Sequence, residues 1–358
     1  MTQFLYFSVA AALSWLLCWP VYRFLRRLNI VDRPNERSSH SRPTVRGGGI
    51  AILLVIVLGS ALSCITTSHY LLLVIPLLAF GMGVVSFLDD IRPVSPTVRF
   101  SCHAFTALFS LGVLFFPLRG QMFSSAPTAL LFFGLAAVLF IWITGYTNAF
   151  NFMDGINGLA GTQAFLTGVG MAMLVIDQTR QFDASIQTAL IVSGAGLGFL
   201  PHNFPRARMF MGDVSSAPLG FLLSFLVVWL AAKHGWELLF PLALMHTNFV
   251  LDTGITLLRR ILRGEKWHQP HREHFYQRLV RAKKSHAFVT LTEAGLQVTT
   301  FILLFLYITN GLIVKFATSA AVLLVWLGFF YYAERLFRKT QRHPEVDVSN
   351  SPMPLSVQ

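Results

Sequence analysis

Apolar runs of roughly 17 to 22 residues recur along this chain, each long enough to cross the ~30 Å hydrocarbon core of a bilayer as a helix. About eleven are legible, near residues 3–22, 48–67, 71–88, 100–118, 127–146, 159–176, 186–201, 217–232, 238–258, 288–309 and 313–332. The runs are apolar on all sides rather than alternating at period two, which excludes a β-barrel and predicts an all-α, polytopic transmembrane helical bundle. A composition that is 54% hydrophobic and 12% charged, with a mean hydropathy of +0.60, agrees. The first run has no basic segment before it and no small-residue cleavage signal at Trp19-Pro20-Val21-Tyr22, so it reads as a retained helix.

The net charge of +12 invites a nucleic-acid reading, but in a membrane protein the position of the cations decides. If the N-terminus is outside, 24 of the 28 Lys and Arg fall in segments on the inner side, and only Arg119, Arg180, Lys233 and Lys315 remain outside. That asymmetry predicts an external N-terminus and a cytoplasmic C-terminus, and explains the charge without nucleic acid. The external connections are short and hold no cluster of ionisable groups, so the polar chemistry is expected on one face. Residues 1–339 read as one integral-membrane domain, and 340–358 as a polar, Pro-containing cytoplasmic tail too poor in apolar residues to fold alone. Cys18, Cys64 and Cys102 show no CxxC spacing and read as packing residues.

Four polar clusters lie on the inner side. Asp89-Asp90 end the third run, and Pro93 predicts that the helix stops at Arg92. Paired acids at that boundary suit a divalent cation or a proton transfer, against the alternative of a solvated helix end. Asn148, Asn151 and Asp154 recur at spacing three and form a polar ridge in helical geometry, able to bond a nucleobase or ribose and help hold a metal. In Pro201 to Ser216, Asp213 follows Gly212 and precedes two hydroxyls, which suits either an ordinary N-cap or an anion site at a helix start. The fourth cluster, Trp267 to Leu279, carries three His at spacing three with an Arg between two of them. Zinc would want a soft fourth ligand and none is near, so a diphosphate clamp fits better, against a merely solvated basic loop. Asp252 lies within the ninth run, where an acid is costly; His246 or Asn248 could neutralise it.

These residues resemble the polyprenyl-phosphate N-acetylhexosamine-1-phosphate transferases, glycosyltransferase family 4, which include the muramyl-pentapeptide transferase and the initiating transferases of O-antigen and teichoic acid synthesis. The motifs occur in the family's order: Asp32 to His40, Gly47-Gly48-Gly49, Phe87-Leu88-Asp89-Asp90, Asn148 to Gly155, Phe210-Met211-Gly212-Asp213 and His271-Arg272-Glu273-His274. The resemblance implies an Mg²⁺-dependent enzyme, with Mn²⁺ as a substitute, that moves a sugar 1-phosphate from a UDP-sugar to undecaprenyl phosphate in the bacterial inner membrane, its active site on the cytoplasmic face. It implies metal ligation by Asp213 with Asp154, catalytic roles for Asp89, Asp90 and Asp213, and nucleotide-sugar contacts from Asn148, Asn151, Asp154, Asn203, His271, Arg272 and His274. Arg99 would meet the lipid phosphate, and a homodimer is common in similar proteins. Two departures stand out. Ser215-Ser216 replaces the usual Gly-Ser after the Gly-Asp pair, and the form His-Arg-x-His-x-Tyr276-Gln277 looks like the branch serving O-antigen initiation. The competing reading is a polytopic transporter or flippase, which needs polar residues through the bilayer depth; apart from Asp252 the spans offer few.

Overall fold

The computed structural model describes residues 3–34, 42–67, 69, 71–92, 94–122, 125–266, 269 and 271–342. Within them the chain is a helical membrane bundle, with one two-stranded antiparallel ribbon as its sheet. The helices are α1 (Gln3–Arg27), α2 (Gly49–Thr67), α3 (Leu71–Ile91), α4 (Pro96–Phe115), α5 (Arg119–Met122), α6 (Ala126–Met153) and α7 (Leu159–Thr179). They continue as α8 (Ala184–Asn203), α9 (Asp213–His234), α10 (Leu239–Leu244), α11 (Thr247–Leu262), α12 (Phe275–Arg281), α13 (His286–Thr309) and α14 (Leu312–Arg342). Strands β1 (Val31–Asp32) and β2 (Thr44–Val45) lie between α1 and α2.

Among the described residues nine helices are long and apolar enough to span a membrane, or ten if the bent pair α10 and α11 counts as one. The remaining expected run, 48–67, is the helix α2, apolar over Gly49–Ile65. α3 ends at Ile91, one residue before the Arg92 at which it was expected to stop. Residues 340–342 of the expected tail are the end of α14, which is helical to Arg342; residues 343–358 lie outside the described residues.

At the centre stands α9, 94% buried over its apolar window, against α3 and α6 on either side. Close packing in a bilayer needs small residues, because lipid supplies no hydrophobic drive between helices. On α8, Gly194 and Gly198 give the backbone of α1 this room: a Cβ at either would stand 2.3 Å or 2.2 Å from the carbonyl oxygens of Phe7 and Ala11. The Ser14 hydroxyl donates across the same seam to the Ala195 carbonyl at 2.8 Å.

The run 238–258 is not one straight span. It breaks between α10 and α11 with a bend of 68°. Freed carbonyls at that depth need partners inside the protein. The Gln297 amide donates to the Met245 carbonyl at 2.7 Å, and the buried His246 ring stands 3.0 Å from the Leu242 carbonyl. Around the break the spans are more polar than the sequence reading allows: Gln163 and Asn248 exchange two hydrogen bonds, and Tyr146 and Glu293 are buried beside them. These groups are scattered over four helices, so no single run discloses them.

The far end of the bundle corrects a second expectation, for it does hold an ionic cluster. Asp183 caps α8 by accepting from the amides of Ser185 and Ile186, and pairs with Lys233 at 2.8 Å and His234 at 3.1 Å. The partners are some fifty positions apart in sequence, which hid the cluster. Burial raises the Asp183 carboxyl, but Lys233, the Ser185 hydroxyl and the Ile186 amide pull harder, so its pKa lies below the ordinary value. A depressed carboxyl stabilises the fold above its unfolded pKa, and that contribution is lost as pH falls through the folded pKa. Asp183→Asn, which keeps the cap but removes the charge facing Lys233, is therefore expected to cost about 1 kcal/mol at neutral pH. Thermal unfolding in detergent should show the gap to wild type closing as the buffer is taken below the carboxylate range, and a gap independent of pH would contradict it.

Candidate active site

The candidate residues gather at the end of the bundle opposite Asp183. The Gly47-Gly48-Gly49 loop brings them together. The Val45 carbonyl accepts from Phe210 N, Phe210 and Met211 then accept from Gly48 N and Gly49 N, and this ribbon of contacts lays the loop along residues 209–211. Close approach requires glycine there: a Cβ on Gly49 would stand 2.1 Å from the Cβ of Ser215. The Ser215 that departs from the family pattern therefore fits because Gly49 yields it space.

Laying the loop there places Arg46, which was not among the expected site residues, between two acids. Its Nη2 stands 2.8 Å from an oxygen of Asp90 and 2.8 Å from an oxygen of Asp213, so those oxygens lie within twice that distance of each other. Burial works against the Arg46 charge, but Asp213 and Asp90 more than offset it and hold the guanidinium above its ordinary pKa. The signal for Arg46 was its place one residue before three glycines. Nothing in its own spacing marked it.

Asp89 and Asp90 are not equivalent. Asp89 is committed on both oxygens, accepting from Val94 N at 2.6 Å and pairing with Arg99 at 2.9 Å. Asp90 points inward with a side chain only 2% exposed, and its Oδ2 is buried without a hydrogen-bond partner. Arg99 is thus held at the rim by Asp89, with its own side chain 42% exposed.

The end of α6 contributes the polar ridge. Asn148 donates to the Thr144 carbonyl one turn back, and Asn151 accepts from the Ser216 hydroxyl, tying α6 to the start of α9. Asp154 caps α6, and its carboxyl is pushed up to about 7, first by burial and then by the negative charge of Asp213, with Arg46 opposing. Asn203 is spent on architecture: it accepts from Gly158 N at 2.6 Å and donates to the Met209 carbonyl at 2.9 Å, bracing the two loops.

The fourth cluster reaches the site through Asp252, whose neutralising partners are neither His246 nor Asn248. Its carboxylate accepts from Phe275 N at 3.0 Å and Tyr276 N at 3.3 Å and lies 3.0 Å from His274 Nδ1, which seats the start of α12. From there the Tyr276 hydroxyl donates to the Phe152 carbonyl, over a bare Gly155 where any Cβ would stand 2.1 Å from that hydroxyl oxygen. His274 is thereby buried, while His271 and Arg272 stay half-buried at the mouth. Burial, then His274 and Arg260, lower the His271 pKa to about 4, so near neutral pH its ring is an uncharged donor or acceptor and Arg272 carries the positive charge of the pair. Trp267, His268 and Pro270 lie outside the described residues.

Among the described residues no three His, Cys, Asp or Glu side chains stand close enough to hold a metal ion unaided. Hard oxygen donors with one buried orphan, Asp90 Oδ2, still match Mg²⁺, which takes one or two carboxylates and completes its shell with water and substrate phosphate.

Residues 70–231 match the model of glycosyl transferase family 4, a stretch that carries Asp89, Asp90, Asp154 and Asp213. A probable undecaprenyl-phosphate N-acetylglucosaminyl 1-phosphate transferase of Bacillus subtilis is 28% identical over 332 residues, covering 90% of this chain and 86% of the relative. A decaprenyl-phosphate N-acetylglucosaminephosphotransferase of Mycobacterium tuberculosis is 30% identical over 319 residues, 79% of this chain and 76% of its own. A phospho-N-acetylmuramoyl-pentapeptide-transferase of Streptococcus sanguinis is 32% identical over 241 residues, 64% and 70% of the two chains. With the order of motifs, the membrane bundle and these likenesses together, the chain belongs to glycosyl transferase family 4, the polyprenyl-phosphate N-acetylhexosamine-1-phosphate transferases.

Proposed function

We propose that the protein transfers an N-acetylhexosamine or 6-deoxy N-acetylhexosamine 1-phosphate from a UDP-sugar to undecaprenyl phosphate, releasing UMP, and so initiates an O-antigen or related envelope glycan. The observation that carries this reading is the part-buried Asp90–Arg46–Asp213 bridge, set where the spans end, with Asp154 near enough to feel the charges of Asp213 and Arg46. The excess of Lys and Arg in the loops at this end supports a cytoplasmic face of the bacterial inner membrane.

Phosphoryl transfer asks a protein chiefly for positioning and for charge to balance the phosphoryl oxygens. Asp213 with Asp154 would hold Mg²⁺, water and the donor's phosphates completing its shell. The ion, when bound, supplies Lewis-acid charge to the diphosphate of the donor. Arg272 would pair with that diphosphate and the neutral His271 would hydrogen-bond it. Arg99, steadied by Asp89, would receive the lipid phosphate at the rim. The acceptor phosphate is already largely ionised near neutral pH, so its oxygen attacks the sugar-linked phosphorus without needing a strong base, and the bond to UMP breaks. Asp90, whose Oδ2 has no hydrogen-bond partner, is free to take an orienting role, while Asp89 is spent on Val94 and Arg99.

The direct test incubates the purified protein with a panel of radiolabelled UDP-N-acetylhexosamines. UMP release is expected only when Mg²⁺ and undecaprenyl phosphate are both present, with one sugar preferred. Release that ignores the lipid, or none with any UDP-sugar, would sink the reading.

A further inference from the structure

A second basic feature lies apart from the acidic site. Between α12, α14 and the loop after α11 is a cavity of about 580 Å³, lined by five arginines and two glutamates. Glu334 is consumed by Arg259, Arg278 and Arg338, and Glu273 by Arg260 and Arg263. Arg281 and Arg342 line the same cavity with no carboxylate in any ion pair of the described residues. The Arg281 guanidinium lies 4.7 Å over the ring of Phe337, which gives the cavity an apolar wall. The arginines thus outnumber the acids that could balance them, and a bound anion would make up the difference.

The depth of the cavity says which kind of anion. Tyr331 and Tyr332 on α14 are exposed outward, 69% and 41%, above outward-facing Leu324 and Leu327. Amphipathic aromatic rings of this kind settle at headgroup level. Arg338 and Arg342 follow about two and three turns later on the same helix, roughly 10 and 16 Å beyond Tyr331, on the water side of the headgroup level.

We propose that this cavity is a binding site for the phosphate headgroup of an anionic phospholipid, separate from the site for the reacting substrates. Its occupant also bears on the His271–His274 loop: Arg281 donates to the Arg272 carbonyl at 3.2 Å, and Arg278 donates to the Glu273 carbonyl at 2.8 Å. A headgroup drawn to Arg281 steadies the segment that carries Arg272.

Native mass spectrometry of the full chain, titrated with phosphatidylglycerol, tests the site without relying on the sugar-transfer reading. Each arginine near an anionic headgroup strengthens binding about 5-fold, so R281Q/R342Q should weaken retention roughly 30-fold. Phosphatidylcholine should bind no better to wild type than to the variant. Equal retention of phosphatidylglycerol by wild type and R281Q/R342Q would overturn the proposal, as would displacement by equimolar inorganic phosphate, which would mark a general anion site. R281K/R342K keeps the charge and should stay within about fivefold of wild type. A loss as large as that of the glutamine pair would instead implicate the packing of Arg281 on Phe337, and would also overturn it.

Discussion

Asp213→Asn is expected to reduce turnover by at least roughly 10³-fold, the scale on which removing one well-placed charge-stabilising group acts in such sites. Asparagine has nearly the same shape, and its carbonyl oxygen retains the bond that Asp213 accepts from Arg46 at 2.8 Å. The fold should therefore survive, with thermal unfolding in detergent shifted by no more than a surface-scale amount. The discriminating measurement is single-turnover UMP release at saturating donor. Near-normal release by a folded Asp213→Asn protein would remove Asp213 from the centre of the reaction and break the assignment of the Arg46-bridged pair.

Asp252→Ala should act through structure, and severely. The carboxylate is fully buried and gathers two backbone amides, the Thr256 hydroxyl and the His274 ring, so removing it strands four groups at once. Breaking a buried pair of this kind costs about 3–5 kcal/mol. The seat of α12 would loosen, and with it Tyr276 over Gly155 and Arg272 at the mouth. Two readouts are expected to move together: a lower unfolding temperature, and faster trypsin cleavage in the segment from Arg263 to Arg281. An Asp252→Ala protein that resists trypsin like wild type but has lost turnover would assign Asp252 to the chemistry instead.

The bundle was legible in the sequence because length and hydropathy decide whether a helix can span, and those are local. The end of α3 was legible for the same reason, since Pro93 acts on its immediate neighbours. What local patterning could not disclose was pairing across the chain. Arg46 was invisible as a site residue because its partners arrive through Gly48 and Gly49 contacts with Phe210 and Met211. Asn203 looked like a pocket residue, yet its amide is consumed on Gly158 and Met209. The bend between α10 and α11 was hidden because the hydropathy of the run continues through it, while the partner that satisfies the break, Gln297, sits on another helix. The inequality of Asp89 and Asp90 likewise depends on Arg99 and Arg46, which no dipeptide can show.

The placing of Arg46 and Asp213 167 positions apart has a consequence for biosynthesis. When α3 enters the membrane, Asp90 has Arg46 available but not the helix that encloses it, for α9 emerges only after five further helices. Until α9 arrives, Arg46 supplies Asp90 with a counter-charge. Asp213 joins that bridge only with α9, after eight helices of the bundle have been made. A nascent chain arrested before α9 carries Asp90 and Arg46 without the second acid.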